Sequence, residues 1–301
     1  MRLKLFGVTV IALGLLAGAC ANASTDAGTG DGGTGSGGQG GDGGGISYPT
    51  AADQVVLRIE QGGGFVAPQY TLTNIPLFSL FGDGLVVTPG AQIEIFPSPA
   101  LPALTQLRLS ADAIQELLQA AIDAGLNTDH SYTDLGSVGI ADAATTTFTL
   151  TVDGQTHTIK VYALSELGSK PDRMSQDEYQ ARQDLFAFET KATDLSWLPQ
   201  DAISDQGGYQ PSGLRLFVSR YQPDPSLTEP SVEWPLSPGL ATFGDPFQDG
   251  LNGTRCGTVV ADAATTLLPV VEQANQLTPW TSEGTRYGIL FRPLLPDESG
   301  C

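Results

Sequence analysis

Lysine, histidine and methionine are almost missing from this chain: four lysines, two histidines and two methionines in 301 residues. Basic residues number 14 against 33 acidic ones, for a formal net charge of −19. Phosphate binding needs a cationic face, so nucleic acid is excluded as a partner. Anionic lipid would be repelled for the same reason. The acidic excess is read as a solubility device for a salty surrounding, with affinity for cations or basic partners as the sharper alternative. Long apolar runs are missing too. The longest, residues 5–16, falls short of the ~20 apolar residues that a transmembrane helix needs. Catalytic signatures are also absent. There is no G-x-S-x-G, no H-E-x-x-H, no P-loop, and no G-x-G-x-x-G outside a glycine-rich stretch with no strand before it.

Cysteine is scarce, which makes the three positions informative. The first residues carry Arg2 and Lys4, then the apolar run, then small residues. That is the order of a bacterial export signal, expected over residues 1–19. LAGAC (16–20) resembles the lipobox of bacterial lipoproteins, in which the cysteine is diacylated and the chain is cut just before it. The resemblance implies acylation at Cys20 and a chain held on the outer face of the cell membrane. One residue departs from the pattern: Ala17 stands where leucine is commonest, and Leu16 lies one place earlier. The competing reading is cleavage after Ala17-Gly18-Ala19 or Ala21-Asn22-Ala23, giving a freely secreted protein.

Residues 20–46 are then the lipidated N-terminus and a linker of glycine, serine, threonine and aspartate. The linker has no apolar periodicity, so it is expected to be disordered. As a 25-residue coil it would span about 27 Å, a tether that holds a domain off a surface. With Cys20 set aside, Cys256 and Cys301 remain. An even pair in an exported domain is read as a disulfide. It would close a loop of about 45 residues, worth ~4 kcal/mol in the chain-entropy model.

The remaining residues are read as an α+β fold: antiparallel sheets of β-hairpins packed with a few amphipathic helices. The first half is placed at 47–165 and the second at 166–301, either as two units or as one. QVVLRIE (54–60) and LTQLRLS (104–110) alternate like strands. IPLFSLFGDGLVVTPG (75–90) reads as two strands joined at Gly82-Asp83-Gly84. In SADAIQELLQAAIDAGL, Ile114, Leu117, Leu118, Ala121 and Ile122 recur at helical spacing, with Ser110 as N-cap and Gly125 as the stop. TTTFTLTVDGQTHTIKVYAL (145–164) is the clearest hairpin, turning at Asp153-Gly154. It puts Phe148, Leu150 and Val152 on one face with His157, Ile159 and Val161. The opposite face carries threonines, Lys160 and Tyr162. Ser175 and Glu178 form a capping box for a helix over 176–193.

Beyond Pro199 the chain reads as loop-rich, with a strand at 213–221 and a closing order of strand, helix, strand. ADAATT occurs at 141–146 and again at 261–266, but the two copies run into different patterns. The second reads as helical, with Pro269 tolerable only in a first turn.

The pattern LFSLFGDGLVV, the leucine-rich helix ending AGL, DAATTTFTLTVDGQTHTIKVYAL and the closing FRPLLPDE together resemble a group of uncharacterised actinobacterial exported lipoproteins. The resemblance covers roughly 75–165 and the last 50 residues. It implies export and an α+β domain, and carries no reaction or site with it.

Candidate site residues are few. His157 lies on the apolar face of the hairpin and reads as a packed strand residue. His130, with Asp129 and Asp134, sits in an acidic loop that reads as solvated, with a weak metal cluster as the alternative. Asp245, Asp249 and Asn252 offer oxygen ligands on a glycine-bearing loop, a weak Ca²⁺ pattern that Asx turns explain as well. Glu178 and Asp184 could pair as carboxylates on the second helix. Trp197, Trp234 and Trp280 fall in the stretches SWLPQ, EWPLS and TPWTS and read as rings that plug the core beneath loops. The alternative for them is stacking on sugars or peptides.

The expected function is a membrane-anchored extracytoplasmic binding or interaction domain, more simply not an enzyme and needing no cofactor. Its partners would be the membrane, through the acyl chains, and an envelope protein, glycan or small ligand. The alternative is an extracytoplasmic hydrolase or metal-dependent enzyme built from scattered carboxylates and a histidine. A protease-inhibitor-like module is a third reading that no residue favours.

Overall fold

A computed structural model describes residues 39–40, 44–136, 139–227, 229–247 and 253–301. The leader, Cys20, most of the linker, Asp249 and Asn252 lie outside them. The elements in chain order are β1 (Gln39–Gly40), β2 (Tyr48–Pro49), β3 (Val55–Gly62), α1 (Pro68–Thr73), β4 (Phe78–Phe81), β5 (Leu85–Pro89), β6 (Leu104–Leu109), α2 (Ala111–Asp123), β7 (His130–Tyr132), β8 (Thr145–Val152), β9 (Gln155–Tyr162), α3 (Gln176–Thr193), β10 (Ile203–Gly208), β11 (Gly213–Arg220), β12 (Val232–Glu233), β13 (Asp245–Pro246), β14 (Arg255–Val260), α4 (Ala261–Val271), β15 (Trp280–Ser282) and β16 (Thr285–Pro293). The class is α+β, with two antiparallel-rich sheets.

The first sheet has eight strands in the order β10-β6-β5-β4-β3-β8-β9-β7. Its two hairpins form where turn chemistry and alternation agree. Asp153 and Gly154 take positive φ, as a two-residue turn requires, and set Val152 opposite Gln155. Gly84 also has positive φ, and a Cβ there would meet the Leu109 carbonyl at 2.6 Å, so only glycine fits. Asp83 is the turn former: its Oδ1 accepts from Leu85 N, and its Oδ2 holds Arg108 at 2.7 Å. Helices α2 and α3 cover one face of the sheet, where Leu57, Ile59, Leu117, Leu118, Phe148, Leu150 and Phe188 are buried together. Ser110 Oγ accepts from Ala113 N and caps α2. Ser175 Oγ likewise accepts from Glu178 N and caps α3, but the capping box is only half made. The Glu178 carboxylate turns instead to Arg182.

The six-stranded second sheet runs β12-β15-β16-β11-β14-β13. Helix α4, strand aliphatics such as Leu214, Leu216, Val259 and Ile289, and the buried rings of Trp234, Phe243, Trp280 and Phe291 form its core. Successive edge-to-face pairs join them: Phe243 to Trp234 at 5.9 Å, Trp234 to Trp280 at 6.1 Å and Trp280 to Phe291 at 5.3 Å. Trp280 is a strand residue rather than a loop ring. Pro269 lies inside α4 and not in its first turn. Its ring removes the N–H that would otherwise bond the Thr265 carbonyl one turn earlier.

Two features of the organisation go beyond the sequence reading. The division of the chain at 165/166 does not coincide with the sheets, because α3 and β10, both from the second half, complete the first one. The described residues form one compact unit. Within the linker, Gln39–Gly40 is not free of regular structure: it pairs with Tyr48–Pro49. Ile46 is held to α2 by Gln115, which bonds both its N–H and its carbonyl. Ser47 is bonded in turn to the backbone and carboxylate of Asp153 at the hairpin turn. Among the described residues no helix is long and apolar enough to cross a membrane.

Candidate functional site

Strand alternation leaves the second face of the first sheet polar along β3, β8 and β9. Registers place Arg58 opposite Thr149, and Glu60 opposite Thr147, which is itself opposite Lys160. Toward β4, β5 and β6 the same face is apolar. There Phe81, Leu85, Val87 and Leu104 bury Leu295, from the segment after β16. That segment straps the second sheet to the first.

The second sheet presents two arginines at the strap. Arg215 on β11 is directly opposite Arg292 on β16. Like charges facing across strands repel, so this pair needs compensation. Glu298 supplies it with a two-pronged pair to Arg292, the Nη2–Oε1 contact being 2.7 Å. Arg292 Nε donates to the Asn74 carbonyl, which ties the end of α1 to the second sheet. Asp297 grips Arg58 in the same way, at 2.8 and 2.7 Å. Bidentate forks of this kind are the stronger class of charged hydrogen bond. Arg215 receives less: its Nε donates to the Gly300 carbonyl at 2.7 Å. Burial, and then the Arg292 charge, hold its guanidinium below the usual arginine range, with Glu298 opposing. The Tyr209 hydroxyl donates to the Leu294 carbonyl; burial, with Glu298 and Asp297 adding, pushes its pKa up to about 12.

Between strap, α1 and the threonine face lies an open cleft of about 670 Å³, lined by Arg58, Lys160, Arg215 and Arg292 together with Glu60 and Glu298. That volume is in the range of small-ligand sites, ~300–1,000 Å³. Cys256 and Cys301 form the disulfide, with S–S 2.05 Å, and it ties the end of the strap to β14. Sequence reading missed the cleft. Arg58, Lys160, Arg215 and Arg292 are far apart in the chain, and no local spacing joins them. The strap's DE pair close to a cysteine was the nearest signal.

The residues singled out from the sequence fall elsewhere. His130 is the first residue of strand β7, not of a loop, and its ring lies 4.0 Å from that of Tyr132. Asp129 and Asp134 do not turn toward it. Each accepts a backbone N–H instead, from Thr158 and Gly136 respectively. His130 shares a pocket of about 240 Å³ with Asp123 and Asp184. Those carboxylates accept from Gln119 and Gln180. His157 is half-buried opposite Leu150. Glu178 and Asp184 do not pair with each other, since Glu178 is held by Arg182 and Asp184 by Gln180. Asp245 lies in β13, and Asp249 and Asn252 lie outside the described residues. Trp234 and Trp280 are core rings, while Trp197 donates to the Lys191 carbonyl and lies 4.0 Å beneath the Lys191 ammonium. Among the described residues no group of three acidic, histidine or cysteine side chains is placed to hold a metal.

Arg182 was also missed. It is buried, and it donates to the carbonyls of Tyr132, Asp134 and Tyr162. One guanidinium thus fixes the ends of β7 and β9 to α3. No family model, curated protein or solved structure matches the chain.

Proposed function

We propose that the chain is an exported lipoprotein, held by acyl chains on Cys20, whose folded unit is a binding module of the cell envelope. The observation that carries this reading is the cleft between strap and threonine face. It is open, polar, of small-ligand volume, and lined by both sheets. Sites at such junctions are common because two elements can offer groups that neither holds alone. The leader, the cysteine and the glycine linker supply the address: a tether that leaves the unit free to meet ligands near the membrane. An enzyme is the second reading, favoured only by His130 sharing its pocket with Asp123 and Asp184. Catalysis would need a base oriented by a hydrogen bond, and both carboxylates bond glutamines instead.

The test is fractionation together with capture. Cys20→Ala should leave uncleaved precursor or release the protein to the medium; normal processing and continued membrane attachment would refute the anchor. Envelope extract should yield a saturable ligand for the parent chain and not for Thr147→Trp, which fills the cleft. Equal capture by both would refute the cleft as the binding site. An activity abolished by His130→Ala without loss of thermal stability would favour the enzyme.

A further inference from the structure

The charges of the cleft point to the chemistry of its ligand, an inference that rests on the binding reading above. In a chain with 14 basic and 33 acidic residues, four cations line one cleft. Two of them, Arg58 and Arg292, are neutralised by the strap carboxylates Asp297 and Glu298. The other two are not. The Lys160 side chain, on a strand paired on both sides, makes no hydrogen bond or ion pair among the described residues. Arg215 makes no ion pair among them, faces the like charge of Arg292, and has one acceptor, the Gly300 carbonyl. Glu60 is the remaining acid of the cleft. It is exposed and forms no ion pair among the described residues, and the strand β8 separates it from Lys160, a gap of about 10 Å at the usual strand spacing. Hydroxyls of Thr145 and Thr147 line the space between.

We infer that the cleft binds an oxyanion-bearing, hydroxyl-rich small molecule, a sugar acid or a sugar phosphate, whose anionic group is drawn to Lys160 and Arg215. The strap shows that these arginines accept oxyanions, since Glu298 already sits in a bidentate fork on Arg292 within the cleft and Asp297 holds Arg58 in the same way. A ligand anion would relieve the Arg215–Arg292 repulsion, and its hydrogen bonds to cations would be about twice as strong as neutral ones. The threonine hydroxyls donate and accept, which suits a polyol. The anion then supplies affinity and the hydroxyls supply orientation.

The experiment uses the full chain, oxidised, titrated with glucuronate, glucose 6-phosphate, inorganic phosphate and neutral glucose. Heat is measured by calorimetry, and the Lys160 and Arg215 side-chain nitrogens are followed by NMR. Glucuronate or glucose 6-phosphate should bind at least about tenfold tighter than glucose and weaken with added salt. Which of the two binds tighter assigns carboxylate or phosphate. Tighter binding by inorganic phosphate than by either sugar would overturn the polyol part. Lys160→Gln should lose about tenfold in affinity with an unchanged melting temperature, and Arg215→Gln should do the same whatever its effect on stability. Glucose binding as tightly as the acids would overturn the anionic class and leave a binding cleft standing. Acid binding unchanged in both variants would place the anion elsewhere and overturn the inference. Silence of all four probes at the two side chains would also overturn it, while capture from envelope extract, compared with Thr147→Trp, decides the binding reading separately.

Discussion

The two sheets are buried by different means. The eight-stranded sheet lies under α2 and α3, whose inward residues are mainly aliphatic and recur at helical spacing. The six-stranded sheet has one eleven-residue helix and completes its core with strand aliphatics and four rings, two of which, Trp234 and Phe243, come from the stretch between β11 and β14. The first core is built from periodic elements that each bury a stripe. The second is closed by contacts between residues far apart in the chain, and by a strap that the disulfide and two ion pairs hold down. Regular helices make a core that local sequence nearly specifies. Irregular chain makes one only after closure, and each closing contact has loop entropy to overcome.

This difference can be broken at several places. The largest effect is expected at Trp280, which is 1% exposed and touches Trp234 and Phe291. Trp280→Ala should cost about 3–5 kcal/mol. Amide exchange should then quicken in β11, β14, β15 and β16 before β3, β8 and β9; uniform quickening would mean that the two sheets open together. Leu118→Ala, in the first core, should reverse that order. Glu298→Ala comes next, because it leaves the Arg292 guanidinium, 7% exposed, without its partner. The loss expected on denaturant unfolding is about 3 kcal/mol. Cys301→Ser should cost about 2–4 kcal/mol and release the end of the strap from β14, an outcome read by exchange in β14.

The smallest effect is expected on the helix side of the first sheet. Burial, opposed by the Thr146 hydroxyl and aided by Glu166, raises the Glu189 carboxyl above its ordinary range, and its Oε2 has no hydrogen-bond partner among the described residues. The folded protein therefore keeps that proton to higher pH than the unfolded chain does. Stability from this group is fully present below the ordinary carboxylate range and is lost as pH rises through the raised value. Glu189→Gln should raise the melting temperature at neutral pH and make no difference in acid. A lower melting temperature at neutral pH would show that the charge is satisfied.

Much of the first sheet was legible because its signals are local. The Asp153-Gly154 turn, the alternation of β8 and β9, and the stripe and caps of α2 each lie within about twenty residues, and each agrees with its neighbours. The ADAATT repeat marks where local reading stops. At 141–146 its last two residues begin strand β8, and at 261–266 the whole hexamer lies in α4. The letters are the same, and the residues after them decide: alternating threonines in one copy, a compact apolar run in the other. The two-residue strands β12 and β13 left no sequence signal, being too short for a period. The cleft left none either, because cross-strand neighbours such as Arg215 and Arg292 are distant in the chain and meet only through the sheet.

By itself the sequence determined the α+β class, the caps and turns, the acidic surface, and the pairing of the two cysteines that remain once Cys20 is set aside. Each comes from composition or from a period that a short window contains. Only the tertiary structure decided that the second half lends a helix and a strand to the first sheet, that the strap crosses between the sheets, and that four of few cations meet in one cleft. Those facts depend on registers between distant strands. Register is set by the summed burial of whole faces, which no short window of sequence contains.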